Sequence, residues 1–381
     1  MMASESRARI RLRLADAVLP VGSLLLLAAM LALILSAAGN TLGYDFEAYA
    51  GAARRFINGE RLYDAGASAA GGFGIYLYPP PFAVAIAPLL LLPDAVARWV
   101  WVLAMGCCLP LGANLMPVRR DVRWKIVCLG ALSWPFLYSV KLGQVGPLLF
   151  LLFAAAWRWM DRPWAVGVAT AVGTLVKVQP ALLGVWAVAT GRWRAAAVAV
   201  GVGVAAAAAA TLFTGPGSWA TYADLVRGLG GTFSTDHNFA PGAVAHLTGA
   251  SDGVAAAVQL VSVGLAAAAL LAAFRWASPV ASLQVTIVVS QLLSSPLRDH
   301  YAVLLLLPVA WLVSRGRTWA ALIPLLGWIG LFAFVEDSTP NWPAAASIPL
   351  TFFGVLALVL VEAYRERREE KPGGRAAATE G

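Results

Sequence analysis

The chain has 381 residues, of which 60% are hydrophobic and only 13% charged, with a mean hydropathy of +0.74. Soluble domains carry about 25% charged residues, so a water-soluble enzyme is excluded and the class is an all-α polytopic membrane protein. The net charge of +8 would suggest nucleic acid in a soluble chain, but here the placement of the charges has to be read before their sum.

Arg7, Arg9, Arg11 and Arg13 precede an apolar run from Val18 to Ala38 that ends Ser36-Ala37-Ala38. About 20 residues are enough to cross a bilayer, whereas signal-peptide cores run to about 7–15, so an uncleaved first span is expected. Further apolar segments follow at 81–116, 124–140, 147–160, 165–177, 178–190, 195–213, 253–275, 278–295, 301–314, 318–334 and 343–363, which makes twelve crossings. The segment 81–116 is interrupted at Pro93-Asp94 and reads as a half-helix, 82–92, joined to a full span. Segments 165–177 and 178–190, of about 13 residues each, are too short at about 1.5 Å per residue for about 30 Å of hydrocarbon. They read as a hairpin of half-helices whose tip, Lys177-Val178-Gln179-Pro180, lies within membrane depth. The stretch 195–212 is almost all Ala, Gly and Val, with Gly201 and Gly203, a composition that lets helix backbones approach closely. Cys107, Cys108 and Cys128 lack metal-ligand spacing and read as free thiols among helices.

Charge placement sets the orientation. With both termini cytoplasmic, 20 of the 28 basic residues fall in cytoplasmic segments, as the positive-inside rule requires. Arg54, Arg55, Arg61, Lys141, Lys177, Arg227 and Arg298 fall outside, while Asp94 and Arg98 cancel within the broken segment. A single membrane domain, 1–363, is expected, with a charged cytoplasmic tail, 364–381, and two long outer loops, 39–80 and 214–252. In the first loop, Phe46, Tyr49, Ala53, Phe56 and Ile57 recur at helical spacing between Asp45 and Gly59, which predicts an amphipathic helix resting on the interface. A second short helix is expected from Ser218 to Leu229, stopped by Gly228-Leu229-Gly230-Gly231.

Polar groups at membrane depth are costly and mark functional candidates. Tyr44-Asp45-Phe46-Glu47, Lys141-Leu142-Gly143-Gln144, Lys177-Val178-Gln179 and Arg298-Asp299-His300-Tyr301 all face the outer leaflet in this topology. A carboxylate pair and several cations beside apolar surface suit a transferase that uses an anionic lipid-linked donor: cations stabilise the departing phosphate, and a carboxylate removes the acceptor's proton. Asp45 could equally N-cap the helix that follows it. Gln144 could be a turn residue and Arg298-Asp299-His300 a mutual ion pair. His237 and His246 read as solvated loop histidines, and Glu336-Asp337 as surface.

These motifs, in this order, resemble the polyprenyl-phosphate-dependent GT-C glycosyltransferases, and glycosyltransferase family 87 in particular. The resemblance is carried by Tyr44-Asp45-Phe46, Tyr49, Ala53, Asn58-Gly59-Glu60, Leu62-Tyr63, Tyr78-Pro79-Pro80-Pro81-Phe82 with Pro88 and Pro93, Gly143-Gln144, Lys177 with Pro180, and Ser295-Pro296 with Asp299-His300-Tyr301. It implies a GT-C-type bundle with broken half-helices and a hexosyltransferase moving mannose or another sugar from a polyprenyl-phosphate donor to a lipid, glycan or protein acceptor. In that frame Asp45 is the catalytic base, and Lys177, Arg298 and His300 contact the donor phosphate. Tyr49, Tyr78, Gln144, Gln179, Tyr301 and Asn238 line the substrates. Two departures stand out: Leu297-Arg298 occupies the place of a Ser-Trp pair, and Asn238-Phe239-Ala240 keeps only the Asn of an Asn-Gln-Ser run. The expected setting is a bacterial-type inner membrane with the site facing the periplasm, membrane lipid as partner, no nucleic acid, and no metal or other cofactor. The rival class is a secondary transporter or lipid-sugar flippase, against which stands the absence of a repeated partner for the 165–190 hairpin. A structural envelope subunit is the third class.

Overall fold

In the computed structural model, which describes residues 2–63, 75–229, 237–294, 296–334 and 339–369, there is no strand among the described residues. Asp64, Gly230, Gly231, Asp236, Ser295, the Glu336-Asp337 pair and the tail from 370 onward lie outside them. Helix α1 (Met2–Ser36) carries the first apolar run. After it, α2 (Tyr44–Ile57) fills the loop before the next apolar segment. Its N-cap is Gly43, with φ 70°, a left-handed conformation that glycine adopts without strain. Asp45 therefore lies inside the first turn and is not the cap. Nor does α2 rest on an interface, since Phe46, Ala48, Tyr49, Ala50, Ala52 and Ala53 are all buried. The alanines let neighbours close in on several sides, where the large residues alone marked one stripe.

The Pro-interrupted segment divides as its sequence predicts, into α3 (Pro80–Ile86), a 3₁₀ turn Ala87–Leu91 and the long α4 (Asp94–Leu115). Next come α5 (Arg120–Leu132) and α6 (Trp134–Leu142), bent by 66° at Ser133, where Pro135 at the start of α6 cannot continue the α5 ladder. The buried Ser23 of α1 lies 3.1 Å from Trp124 O, tying α1 to α5. Helix α7 (Gly146–Arg158) leads to the expected hairpin, α8 (Pro163–Val176) and α9 (Ala181–Ala189).

Helix α10 (Trp193–Thr214) buries only Ala195 and Ala210, so most of its surface faces outward. The glycine that admits it is on α8: a Cβ on Gly167 would stand 2.5 Å from Val198 Cβ and 2.8 Å from Ala195 O, whereas Gly201 and Gly203 meet nothing within 4 Å. The close-packing role belongs to Gly167. Because backbone cannot yield, Gly167→Ala is expected to destabilise the protein by about 1–3 kcal/mol, visible as a lowered melting temperature in detergent, while Gly201→Ala leaves it unchanged.

The second long loop forms α11 (Gly217–Leu229), as expected, and α12 (Pro241–Leu247). Beyond it lie α13 (Asp252–Trp276), α14 (Pro279–Leu292), a 3₁₀ stretch Asp299–Leu305 running into α15 (Leu306–Ser314), a second 3₁₀ stretch Thr318–Phe332, and α16 (Trp342–Glu369).

Each of the twelve apolar segments contains helix, but among the described residues five helices are long and apolar enough to cross a membrane: α1, α4, α10, α13 and α16, or six with the bent α5–α6 pair. The remaining apolar helices run to 10–17 residues. Among them α14 is buried at every position from Ala281 to Leu292. At about 1.5 Å per residue it reaches about 21 Å, and being enclosed on every side it is a central post with no lipid-facing surface. Helix α16 continues past residue 363, and Glu362, 4% exposed, holds Arg317 at 2.8 Å and Arg315 and Arg365 at 3.6 Å. Glu362 thus clamps the α15 end just before the expected tail, and Glu369 within the helical start of that tail adds a contact to Arg315 at 3.4 Å.

Candidate active site

Five connections meet at one end of the bundle, joined by backbone and side-chain contacts. Gly43 N–H donates to Lys141 O at 2.8 Å, which seats the first turn of α2 on the α6–α7 connection. Lys177, at the α8–α9 tip, places its ammonium 3.7 Å from the Tyr301 ring centroid. Gln179 Nε2 donates to Ser294 Oγ at 2.7 Å, fastening the hairpin tip to the segment that precedes Arg298. Phe239 N–H donates to Leu297 O at 2.7 Å, which brings in the second loop.

Asp45 stands where these connections converge. Its carboxyl feels Lys177 and Arg298 and, to a smaller extent, the Gln144 amide. Burial pushes it up to about 6 from its usual 3.8, and the two cations and the Gln144 contact offset only part of that rise. Residues two apart on a helix point to different sides, so Glu47 is not Asp45's partner but pairs with Arg98. Arg54 meets Asp94 at 2.6 Å. The charges Asp94 and Arg98, which cancel in the sequence, are in fact each spent on α2 and lock it against α4. Of the two carboxylates in the Tyr44–Glu47 motif, Asp45 is the one turned to Lys177 and Arg298.

His300 is 6% exposed. Its Nδ1 lies 3.5 Å from Asp299 Oδ1, just outside hydrogen-bond reach, and both ring nitrogens lack a hydrogen-bond partner among the described residues. A buried imidazole with two open nitrogens can donate to or accept from a ligand. Asp299 is itself held, because Trp134 Nε1 donates to Oδ2 at 3.1 Å and the His300 N–H to Oδ1 at 2.8 Å. Asp299 thus sits between Trp134 and His300, keeping the Asp299–His300 part of the expected pairing, while Arg298 lies close enough to Asp45 to pull its carboxyl down.

Sequence reasoning passed over Trp134 and Tyr138. They stack at 4.9 Å with an interplanar angle of 14°, and Tyr138 lies 6.1 Å from His300 and 6.5 Å from His237, with Lys141 at 5.9 Å. The spacing Trp134, Tyr138, Lys141 puts all three on one face of α6, a pattern present in the sequence. His237 is exposed, as expected of a loop histidine; at φ 56° it is the non-glycine residue with positive φ among those described, and its ring meets Phe334 at 5.2 Å. His246 stands apart, 3.4 Å from Asp252.

The remaining expected ligand residues divide. Tyr301 and Gln179 border Lys177, and Gln179 Oε1 has no partner among the described residues. Asn238 Oδ1 accepts from Ala240 N at 3.1 Å and Leu297 N at 3.2 Å, a clip that braces the backbone next to Arg298. Tyr49 and Tyr78 lie behind Gln144, with hydroxyls 3.3 and 3.1 Å from its Oε1. Among the described residues, no group of three or more His, Cys, Asp and Glu side chains is placed to hold a metal ion.

Two curated relatives are similar to the chain, both described as polyprenol-phosphate-mannose-dependent alpha-(1-2)-phosphatidylinositol pentamannoside mannosyltransferases. The protein of Mycolicibacterium smegmatis is 26% identical over 269 residues, covering 67% of this chain and 60% of the relative. The protein of Mycobacterium tuberculosis is 27% identical over 270 residues, covering 67% and 58%. The chain therefore spans about 60% of the length of the curated relatives it matches. The family model for glycosyltransferase family 87 matches residues 76–296, more than half of the sequence, and the chain belongs to that family.

Proposed function

We propose that the protein transfers a sugar, mannose or another hexose or pentose, from a polyprenyl-phosphate carrier to a hydroxyl of a lipid, glycan or protein acceptor at the outer face of a bacterial inner membrane. The observation that carries this reading is one carboxyl, Asp45, flanked by the cations Lys177 and Arg298 with the open imidazole of His300 nearby. The names of the two relatives support the same donor class and a lipid acceptor.

In the proposed step the Asp45 carboxylate takes the acceptor's hydroxyl proton as that oxygen bonds to the anomeric carbon. The bond from that carbon to the phosphate oxygen breaks, and polyprenyl phosphate leaves with one more negative charge. Lys177 and Arg298, both half-buried, and the buried His300 hold that charge, in a setting where such contacts are worth more than in open water. Attack from the face opposite the leaving group inverts the anomeric centre. Cations of the protein suffice for a monophosphate leaving group, so no metal is required.

Purified protein in liposomes, supplied with radiolabelled polyprenyl-phosphate mannose and a short alkyl mannoside, is expected to form a longer, labelled glycoside. Turnover is expected to be unaffected by EDTA. Solute counterflow without any lipid-linked sugar, and no glycoside formed, would move the assignment to transport; turnover abolished by EDTA and restored by a divalent ion would overturn the metal-free mechanism.

A further inference from the structure

The polar cluster behind Asp45 has a proton arrangement that decides its own orientation. Gln144 is 5% exposed, Tyr49 0% and Tyr78 9%, so little water reaches them. The Val145 N–H, which can only donate, lies 2.7 Å from the side-chain oxygen of Gln144. An amide NH₂ could not occupy that place, because two donors would face each other. Tyr78 OH donates to the same oxygen at 3.1 Å, and Tyr49 OH donates to Tyr78 OH at 3.0 Å. Both lone pairs of Gln144 Oε1 are then taken, and the Tyr49 proton, given to the Tyr78 hydroxyl, fixes the direction of the Tyr78 proton.

With the oxygen fixed, the NH₂ is the end of Gln144 left to face the Asp45 carboxyl, whose charge it favours. The backbone reinforces this. Gly143, at φ 68°, turns the chain at the end of α6, and a Cβ there would stand 3.2 Å from Phe46 Cβ. Trp101 Nε1 donates to Gly143 O at 2.6 Å. The turn that carries Gln144 is therefore pressed directly against the first turn of α2.

We infer that Gln144 is a positioning residue whose amide, locked by Val145, Tyr78 and Tyr49, aims the Asp45 carboxylate. Tyr49 and Tyr78 are in this account the lock on the amide and do not touch substrate. The inference rests on the reading of Asp45 as the base. The other groups facing Asp45 are Lys177 from the hairpin tip, Arg298 from the segment before α15, Tyr44 and Tyr49 from its own helix, Tyr78 from the segment before α3 and Tyr138 from α6. Of these only Tyr78 is changed below.

The test is an infrared titration of the Asp45 carboxyl in the purified full-length protein, taken as the difference from Asp45→Asn, which does not require turnover. Gln144→Leu is expected to move the midpoint upward by about one pH unit, since a donor to the charged form is lost. Tyr78→Phe is expected to move it in the same direction by less, by releasing the amide. In the transfer assay with polyprenyl-phosphate mannose, the acidic limb of kcat should move with the titration while the donor KM stays unchanged. An unmoved midpoint in Gln144→Leu at an unchanged melting temperature would overturn the inference. If Gln144→Leu does not fold, an unmoved midpoint in Tyr78→Phe would overturn it instead. A moved midpoint in a protein whose wild type transfers no sugar would leave the positioning role standing and sink the transferase reading.

Discussion

Replacing Asp45 by Asn is expected to lower kcat by roughly 10²- to 10⁴-fold, the range that general-base catalysis supplies, while the protein folds at least as well as before. The second half of that expectation follows from the same burial that makes Asp45 useful. Its carboxyl is pushed from 3.8 up to about 6, so the folded protein binds the proton more tightly than the unfolded chain does. Stability from this group is fully present below about 3.8 and is lost as pH rises through about 6. At pH 7.5 the charged carboxylate is a cost to the fold, and the neutral amide of Asn relieves it. The melting temperature of Asp45→Asn should therefore equal or exceed that of the wild type at pH 7.5, and show no gain at pH 4. Wild-type kcat should fall below about pH 6 as the base takes up its proton. A variant with near-normal transfer would remove Asp45 from the chemistry, and one that is less stable at pH 7.5 would show that its charge is compensated better than burial allows.

How much of this was open to reading from the sequence depended on whether a feature is marked by a contrast in composition. The long helices α1, α4, α10, α13 and α16 stand out as extended apolar runs, and Pro93 and Pro180 mark broken helices because proline removes a backbone donor. By contrast, α14 has the composition of a span and the position of a core post. A helix enclosed by protein and a helix enclosed by lipid are equally apolar, and only packing separates them. The 3₁₀ stretch Thr318–Phe332 is equally silent, since a period of three cannot be told from 3.6 where nearly every residue is apolar. The expected interface helix α2 turned out buried because four alanines, which carry little pattern, form much of its contact surface.

The same rule divides the site. Asp45, Lys177, Arg298 and His300 are polar residues against an apolar background and could be picked out singly. Their partners could not, because Glu47 meets Arg98 from 51 positions away and Trp134 meets Asp299 from 165. Trp134 and Tyr138 sit in an apolar stretch where aromatic residues are ordinary core. What the sequence lacked was the knowledge of which face of α6 the 3₁₀ stretch Asp299–Leu305 packs against.

Removing the Lys177 charge is the second large effect expected, and it separates two parts that this cation plays. As the first of the groups pulling the Asp45 carboxyl down, Lys177 keeps the base charged. As a cation resting on the Tyr301 ring at 3.7 Å, with no ion-pair partner among the described residues, it has its charge available for a phosphate. Lys177→Ala is expected to lower kcat by roughly 10²- to 10³-fold through loss of leaving-group stabilisation, and to move the acidic limb of kcat upward. Lys177→Arg should recover part of the loss, because a guanidinium keeps the charge but is not a compact ammonium. Tyr301→Phe retains the ring face and should act close to wild type, since the attraction of a cation to an aromatic ring needs no hydroxyl. Inhibition by a short polyprenyl phosphate discriminates the two parts: its Ki should weaken more than about 10-fold in Lys177→Ala and stay unchanged or tighten in Asp45→Asn, where a repelling carboxylate has gone. If the limb moves but Ki does not, Lys177 serves the base alone, and the phosphate is left to Arg298 and His300.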